Sequence, residues 1–172
     1  KMGFERDLEM YVNNTGWDIN YKNGQVTNIL GQKIDVRIEK AKSCTSIPGT
    51  FNAGDREIVI KEACDDYIDA IVASSKEELG AYTLAHELGH ADSYPVVYLL
   101  SAAILSFGTS EAIRKRSLKT FAYTVTAGLL GSQILLNELL AETCATVYHD
   151  VPFLGASYQV MPGLLEKIGG WF

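Results

Sequence analysis

Two histidines four residues apart, with a glutamate directly after the first, stand in the segment Tyr82-Thr83-Leu84-Ala85-His86-Glu87-Leu88-Gly89-His90-Ala91-Asp92. Residues at that spacing share one face of a helix, so His86 and His90 can aim two imidazoles at one metal ion. Glu87 can then reach a water on that ion without ligating it. The chemistry of such a set is metal-assisted hydrolysis, with the carboxylate taking and returning a proton. A catalytic ion needs a third protein ligand and keeps a fourth position for water. Ser93 and Val96 occupy the places where the extended form of the motif carries Gly and His, so the third ligand must come from elsewhere.

The segment Asn137-Glu138-Leu139-Leu140-Ala141-Glu142-Thr143-Cys144-Ala145 has the right character. On a helix, Glu138, Ala141, Glu142 and Ala145 share one face and the leucines populate another. Either acid, with small residues around it, suits a carboxylate facing a metal. Tyr148 and His149 follow this segment and are candidate donors to a developing oxyanion.

These residues need elements to hold them. Phe4, Leu8, Tyr11 and Val12 predict a short N-terminal helix, stopped by Asn13-Asn14-Thr15-Gly16. Asn23-Gly24, between Tyr21 and Val26, predicts a tight hairpin, because both residues tolerate the positive φ of a type I′ turn. Ile34, Val36 and Ile38 alternate with charged residues and predict a half-buried strand. A second hairpin is expected around Asn52-Ala53-Gly54-Asp55, with Ile58-Val59-Ile60 in its return strand. A short helix is expected over 66–73. Ser75-Lys76-Glu77-Glu78 fits a capping box, so the helix bearing His86 starts there and is expected to run to about Asp92. The fold class is α+β: a small N-terminal sheet of antiparallel type, the active helix packed on it, and a mainly helical C-terminal part.

The 172 residues argue for a single domain, 1–172. Net charge is −6, with no long basic run to track a phosphate backbone, which argues against nucleic acid as a partner. Three cysteines make no metal-binding pair; Cys44 and Cys64 suit either a disulfide across a hairpin or two thiols. The compartment stays open, and an opening Lys1 also suits an effector or toxin domain cut from a longer, exported protein. Stretches 93–110 and 120–137 carry no charge, and between them lie Glu111, Arg114, Lys115, Arg116 and Lys119. Such a hairpin, 93–137, is long enough to span a bilayer, with its basic loop on the cytoplasmic side. Its Ser, Thr, Gly and Asn content equally suits buried helices, or an apolar surface covered by a protein partner or inhibitor.

His86-Glu87-Leu88-Gly89-His90 followed by Glu138-Leu139-Leu140-Ala141-Glu142 resembles the gluzincin metallopeptidases of the CaaX-prenyl-protease and HtpX type, which belong to the zincins. Phe51-Asn52-Ala53-Gly54 with Glu57-Ile58-Val59-Ile60 is similar to that family's hairpin and following edge strand, and the likeness covers about residues 48–148. It implies a zincin-like fold, one zinc per chain, and a zinc-dependent endopeptidase acting on polypeptides. His86, His90 and Glu138 would be the zinc ligands and Glu87 the general base. Glu142 stands where the family has Asp. It would orient a ligand histidine or, being a methylene longer, ligate in place of Glu138. The rival expectations are a catalytically idle zincin domain that binds, and a membrane-active module whose hairpin inserts.

Overall fold

A computed structural model describes residues 2–40, 49–62, 75–131 and 136–152. The helix expected over 66–73, the Cys44 and Cys64 pair and the tail beyond Pro152 lie outside the described residues. The architecture is α+β. The element order is α1 (Met2–Asn14), β1 (Tyr21–Lys22), β2 (Gln25–Thr27), β3 (Lys33–Lys40), β4 (Gly49–Asn52), β5 (Glu57–Glu62), α2 (Lys76–Lys115), α3 (Leu118–Leu130) and α4 (Asn137–His149).

Local signals form as expected. Asn23 and Gly24 both take positive φ, 54° and 72°, and set Tyr21 opposite Val26. Ile34 and Val36 turn inward from β3 while Lys33, Asp35 and Arg37 stay exposed. In the β4–β5 turn the Asn52 carboxamide oxygen accepts the Gly54 N–H at 3.0 Å. Ser75 caps α2 by accepting the Glu78 N–H at 3.1 Å.

The sheet order is β1-β2-β3-β5-β4. Contrary to the expected antiparallel sheet, it is mixed: β5 runs parallel to β3, Val36 opposite Ile58 and Ile38 opposite Ile60. β5 is therefore not the edge strand that the likeness implies; among the described residues the edges are β4 and β1. The composition of the two strands explains the exchange. Ile58, Val59 and Ile60 are all buried, and a continuous apolar run belongs in the middle of a sheet rather than at its edge. The short Gly-Thr-Phe-Asn strand has little apolar surface to hide and suits an edge. The core gathers Leu8 and Val12 of α1, Tyr21, Val26, Ile34, Ile58 and Ile60 of the sheet, and Leu84 and Leu88 of α2.

α2, the helix bearing His86, does not end near Asp92 as expected. It continues through Pro95 to Lys115, where Arg116 adopts φ 49° and donates its N–H to the carbonyls of Ala112 and Ile113. Proline removes one backbone hydrogen bond, and the uncharged residues that follow offer good helix formers and no competing turn signal. Ser117 then caps α3, accepting the Thr120 N–H at 3.2 Å.

Candidate metal centre

Three elements build the site. α2 presents Leu84, Ala85 and Leu88 to the core, which leaves His86 and His90 turned toward α4. Their rings meet edge to face with centroids 4.7 Å apart, and their Nε2 atoms are 3.1 Å apart. From α4, Glu138 places one oxygen 3.2 Å from His86 Nε2 and the other 3.5 Å from His90 Nε2. Candidate ligand atoms of His86, His90 and Glu138 all lie within 4.8 Å of one another, so this cluster could hold a metal ion.

The separations test the fit. Nitrogen and oxygen ligands bound at about 2.0–2.1 Å in tetrahedral geometry stand roughly 3.4 Å apart. The two imidazole nitrogens at 3.1 Å and His86 with one Glu138 oxygen at 3.2 Å lie close to that value, and the other Glu138 oxygen stands 3.5 Å from His90. Glu142 faces the opposite side of the first ring: its carboxylate is 3.7 Å from His86 Nδ1 and its side chain is 8% exposed. That is the place of a group that orients a ligand imidazole through its free nitrogen. Of the two acids that the sequence leaves open, Glu138 is the one grouped with both histidines.

Close approach of α2 and α4 depends on Gly89. A Cβ there would lie 2.0 Å from the Ala141 carbonyl oxygen, so only glycine lets the helices come near enough for Glu138 to reach both rings. Sequence reasoning gave this residue no role. Its signal was a glycine inside a well-capped helix, which costs helix stability unless packing requires it. Gly49 does the same for β4, where a Cβ would lie 2.4 Å from the Thr83 methyl and 2.9 Å from Glu87 Cγ.

Charge is distributed unevenly over the cluster. Burial lowers the His86 pKa, but the Glu138 hydrogen bond and the charges of Glu87, Glu138 and Glu142 raise it above the ordinary value. His90 is held below the ordinary value by burial and by His86. Glu138 is pulled down, against its burial, by the two histidines. Glu87 is buried between α2 and β4 and accepts the Phe51 backbone N–H. Burial, with Glu138 adding to it and His86 and Phe51 opposing, pushes its carboxyl to about 7. Asn137, beside Glu138, also bonds to the His90 ring, whose Nδ1 is buried without a partner.

His149 does not join the site. It lies three helical turns past Glu138, about 16 Å along the axis. Both its ring nitrogens are committed, Nδ1 to the Asp18 carbonyl at 2.7 Å and Nε2 to the Asp92 carboxylate at 2.6 Å. An imidazole so held has no N–H to offer a substrate, and the structure does not bring His149 to the cluster. Tyr148 is exposed. Asp92, which the sequence did not single out, has a fully buried side chain and also accepts the Ile29 N–H at 2.9 Å. Together Asp92 and His149 clamp the back of α2 to α4 and to the segments that flank β1 and β2.

The chain matches no protein-family model, and no curated protein or solved structure is significantly similar to it.

Proposed function

We propose that the chain is a zinc-dependent endopeptidase with a zincin-like site, in which His86, His90 and Glu138 hold the ion and Glu87 is the general base. The observation that carries this reading is the convergence of two imidazole nitrogens and one carboxylate at ligand spacing, with a second, buried carboxylate directly beside them. Two histidines and one glutamate are a zinc donor set, and three protein ligands mark a catalytic site, since structural sites close the fourth position. Bound there, zinc supplies a Lewis acid that activates water and polarises a carbonyl.

The chain's own groups would do the rest. Glu87 would take a proton on its carboxylate and deliver it to the leaving nitrogen; its burial beside the cluster puts that carboxylate where the proton must move. Glu142, at His86 Nδ1, fixes the ring plane. Among the described residues β4 is an edge of the sheet and lies beside Glu87, where an extended polypeptide can add as a further strand. Strand addition thus falls to β4 rather than to β5.

The test is metal content by mass spectrometry together with hydrolysis of an unfolded protein substrate. About one zinc per chain is expected, lost in Glu138→Ala. Glu87→Gln should keep the zinc and lose roughly 10²–10⁴-fold in rate. A wild-type chain that takes up no zinc on reconstitution refutes the proposal, and full activity in Glu87→Gln refutes the assigned base.

A further inference from the structure

α2 has 40 residues, about 60 Å of helix, and only its first half belongs to the sheet domain. From Leu79 to Ser93 its buried residues are dense; beyond Ser93 they thin to Val97, Ser101, Gly108 and Ala112, a single line along the helix. Gly108 meets Thr124 and Ile104 meets Gly128, so this line packs on α3 through small residues. The other faces expose Val96, Tyr98, Leu99, Phe107, Phe121 and Tyr123. An 18-residue window of α2 averages a hydropathy of 1.6 and is 11% buried. A core helix would bury such a window, and a soluble domain rarely leaves this much contiguous apolar surface open.

Three further features say what covers it. The length is right for α2, whose 18 uncharged residues rise about 27 Å, close to the roughly 30 Å hydrocarbon thickness of a bilayer, and the returning chain, 120–137, is uncharged over the same number of residues. Hydroxyls on the hairpin turn back on their own helices, Ser101 to Val97 O at 2.8 Å, Thr109 to Leu105 O at 2.8 Å and Thr124 to Thr120 O at 2.9 Å. They therefore need no water, as hydrocarbon demands. Charge and aromatics lie at the ends: Tyr94 and Tyr98 at the domain side, Tyr123 with Lys119 over its ring at the tip, and Arg114, Lys115 and Arg116 beyond. Amphipathic rings and basic groups prefer the two interfaces, and basic loops stay on the cytoplasmic side.

We propose that the α2–α3 hairpin spans a lipid bilayer with its basic tip on the cytoplasmic face, which puts the sheet and the metal cluster on the opposite face. The proposal does not depend on the peptidase reading, and zinc content measured on the same membranes keeps the two apart.

The experiment is expression of the full chain in a bacterial host, followed by alkaline carbonate extraction of the membranes. The wild type should stay in the membrane pellet; release into the supernatant overturns the proposal. Leu99→Arg combined with Phe107→Arg, on exposed faces away from the cluster, should shift most of the protein to the supernatant with its zinc retained. Retention of that variant in the pellet overturns insertion through these faces. A protease recognition sequence inserted between Arg116 and Ser117 should be cut by a protease made in the cytoplasm and protected from one added outside. Cutting only from outside overturns the orientation. Should either altered chain fail to accumulate, the wild-type extraction still decides insertion.

Discussion

Replacing Gly89 by alanine should dismantle the candidate metal centre without touching a proposed ligand. Its added methyl would start 2.0 Å from the Ala141 carbonyl oxygen, and ordinary contact begins near 3.4 Å, so α4 must retreat by about 1.4 Å. Glu138 lies one turn before Ala141 on the same helix and moves with it. Two ligands at about 2.1 Å from one ion cannot stand more than about 4.2 Å apart. Carried in full to Glu138, the retreat takes the 3.5 Å separation from His90 past that limit. Gly89→Ala should therefore weaken zinc binding by at least about tenfold, roughly 1.4 kcal/mol. Folding without metal feels two opposed effects. Alanine in a helix interior gains about 1 kcal/mol over glycine, while overpacking a close interface loses about 1–3 kcal/mol, so the net change is destabilising. The assay is competition against a chromophoric chelator, with thermal unfolding run in chelator and in zinc. Wild-type zinc affinity in Gly89→Ala, with a higher melting temperature in chelator, would refute the close helix approach and the account of Glu138 that depends on it.

Two other perturbations separate the parts of the site. Glu142→Ala should keep the zinc stoichiometry but weaken affinity by about 10–100-fold, because it removes the group at His86 Nδ1 rather than a ligand; loss of all zinc in chelator-free buffer would make Glu142 a ligand after all. The Asp92–His149 clamp should give stability a pH dependence. Although burial lowers the His149 pKa, its hydrogen bonds to Asp92 and Asp18 raise it above the ordinary value on balance. A raised folded-state value means the contribution is fully present below about pH 6.5 and is lost as pH rises through the folded pKa. His149→Gln should remove that alkaline decline in melting temperature between pH 6 and 9, and equal slopes in the two proteins would refute the charged clamp.

What could be read from the residues was local. Asn23-Gly24, the alternation of Ile34 and Val36 and the Ser75 cap each act within a few residues, and each forms as expected. The histidine pair is equally local, since helical geometry alone brings His86 and His90 together. Contacts between distant segments were harder. The antiparallel reading of the sheet missed the parallel β3–β5 pairing because a hairpin fixes only its own two strands; the one signal for it was the continuous apolar run Ile58-Val59-Ile60, which suits an interior strand. The end expected near Asp92 took no account of the uncharged residues beyond it, where the single hydrogen bond lost at Pro95 is outweighed by twenty residues with no better conformation to adopt. His149 was a chemically plausible donor whose role depended on two partners, Asp18 and Asp92, far away in sequence.

The order of the ligands along the chain has a consequence for cleavage. His86 and His90 precede the exposed turn at Arg116, and Glu138 follows it. A single cut at that turn removes no ligand; it divides the centre between two polypeptides. The metal would then act as one cross-link between fragments, beside the α2–α4 packing and the Asp92–His149 clamp, and chelation should loosen a nicked protein more than an intact one.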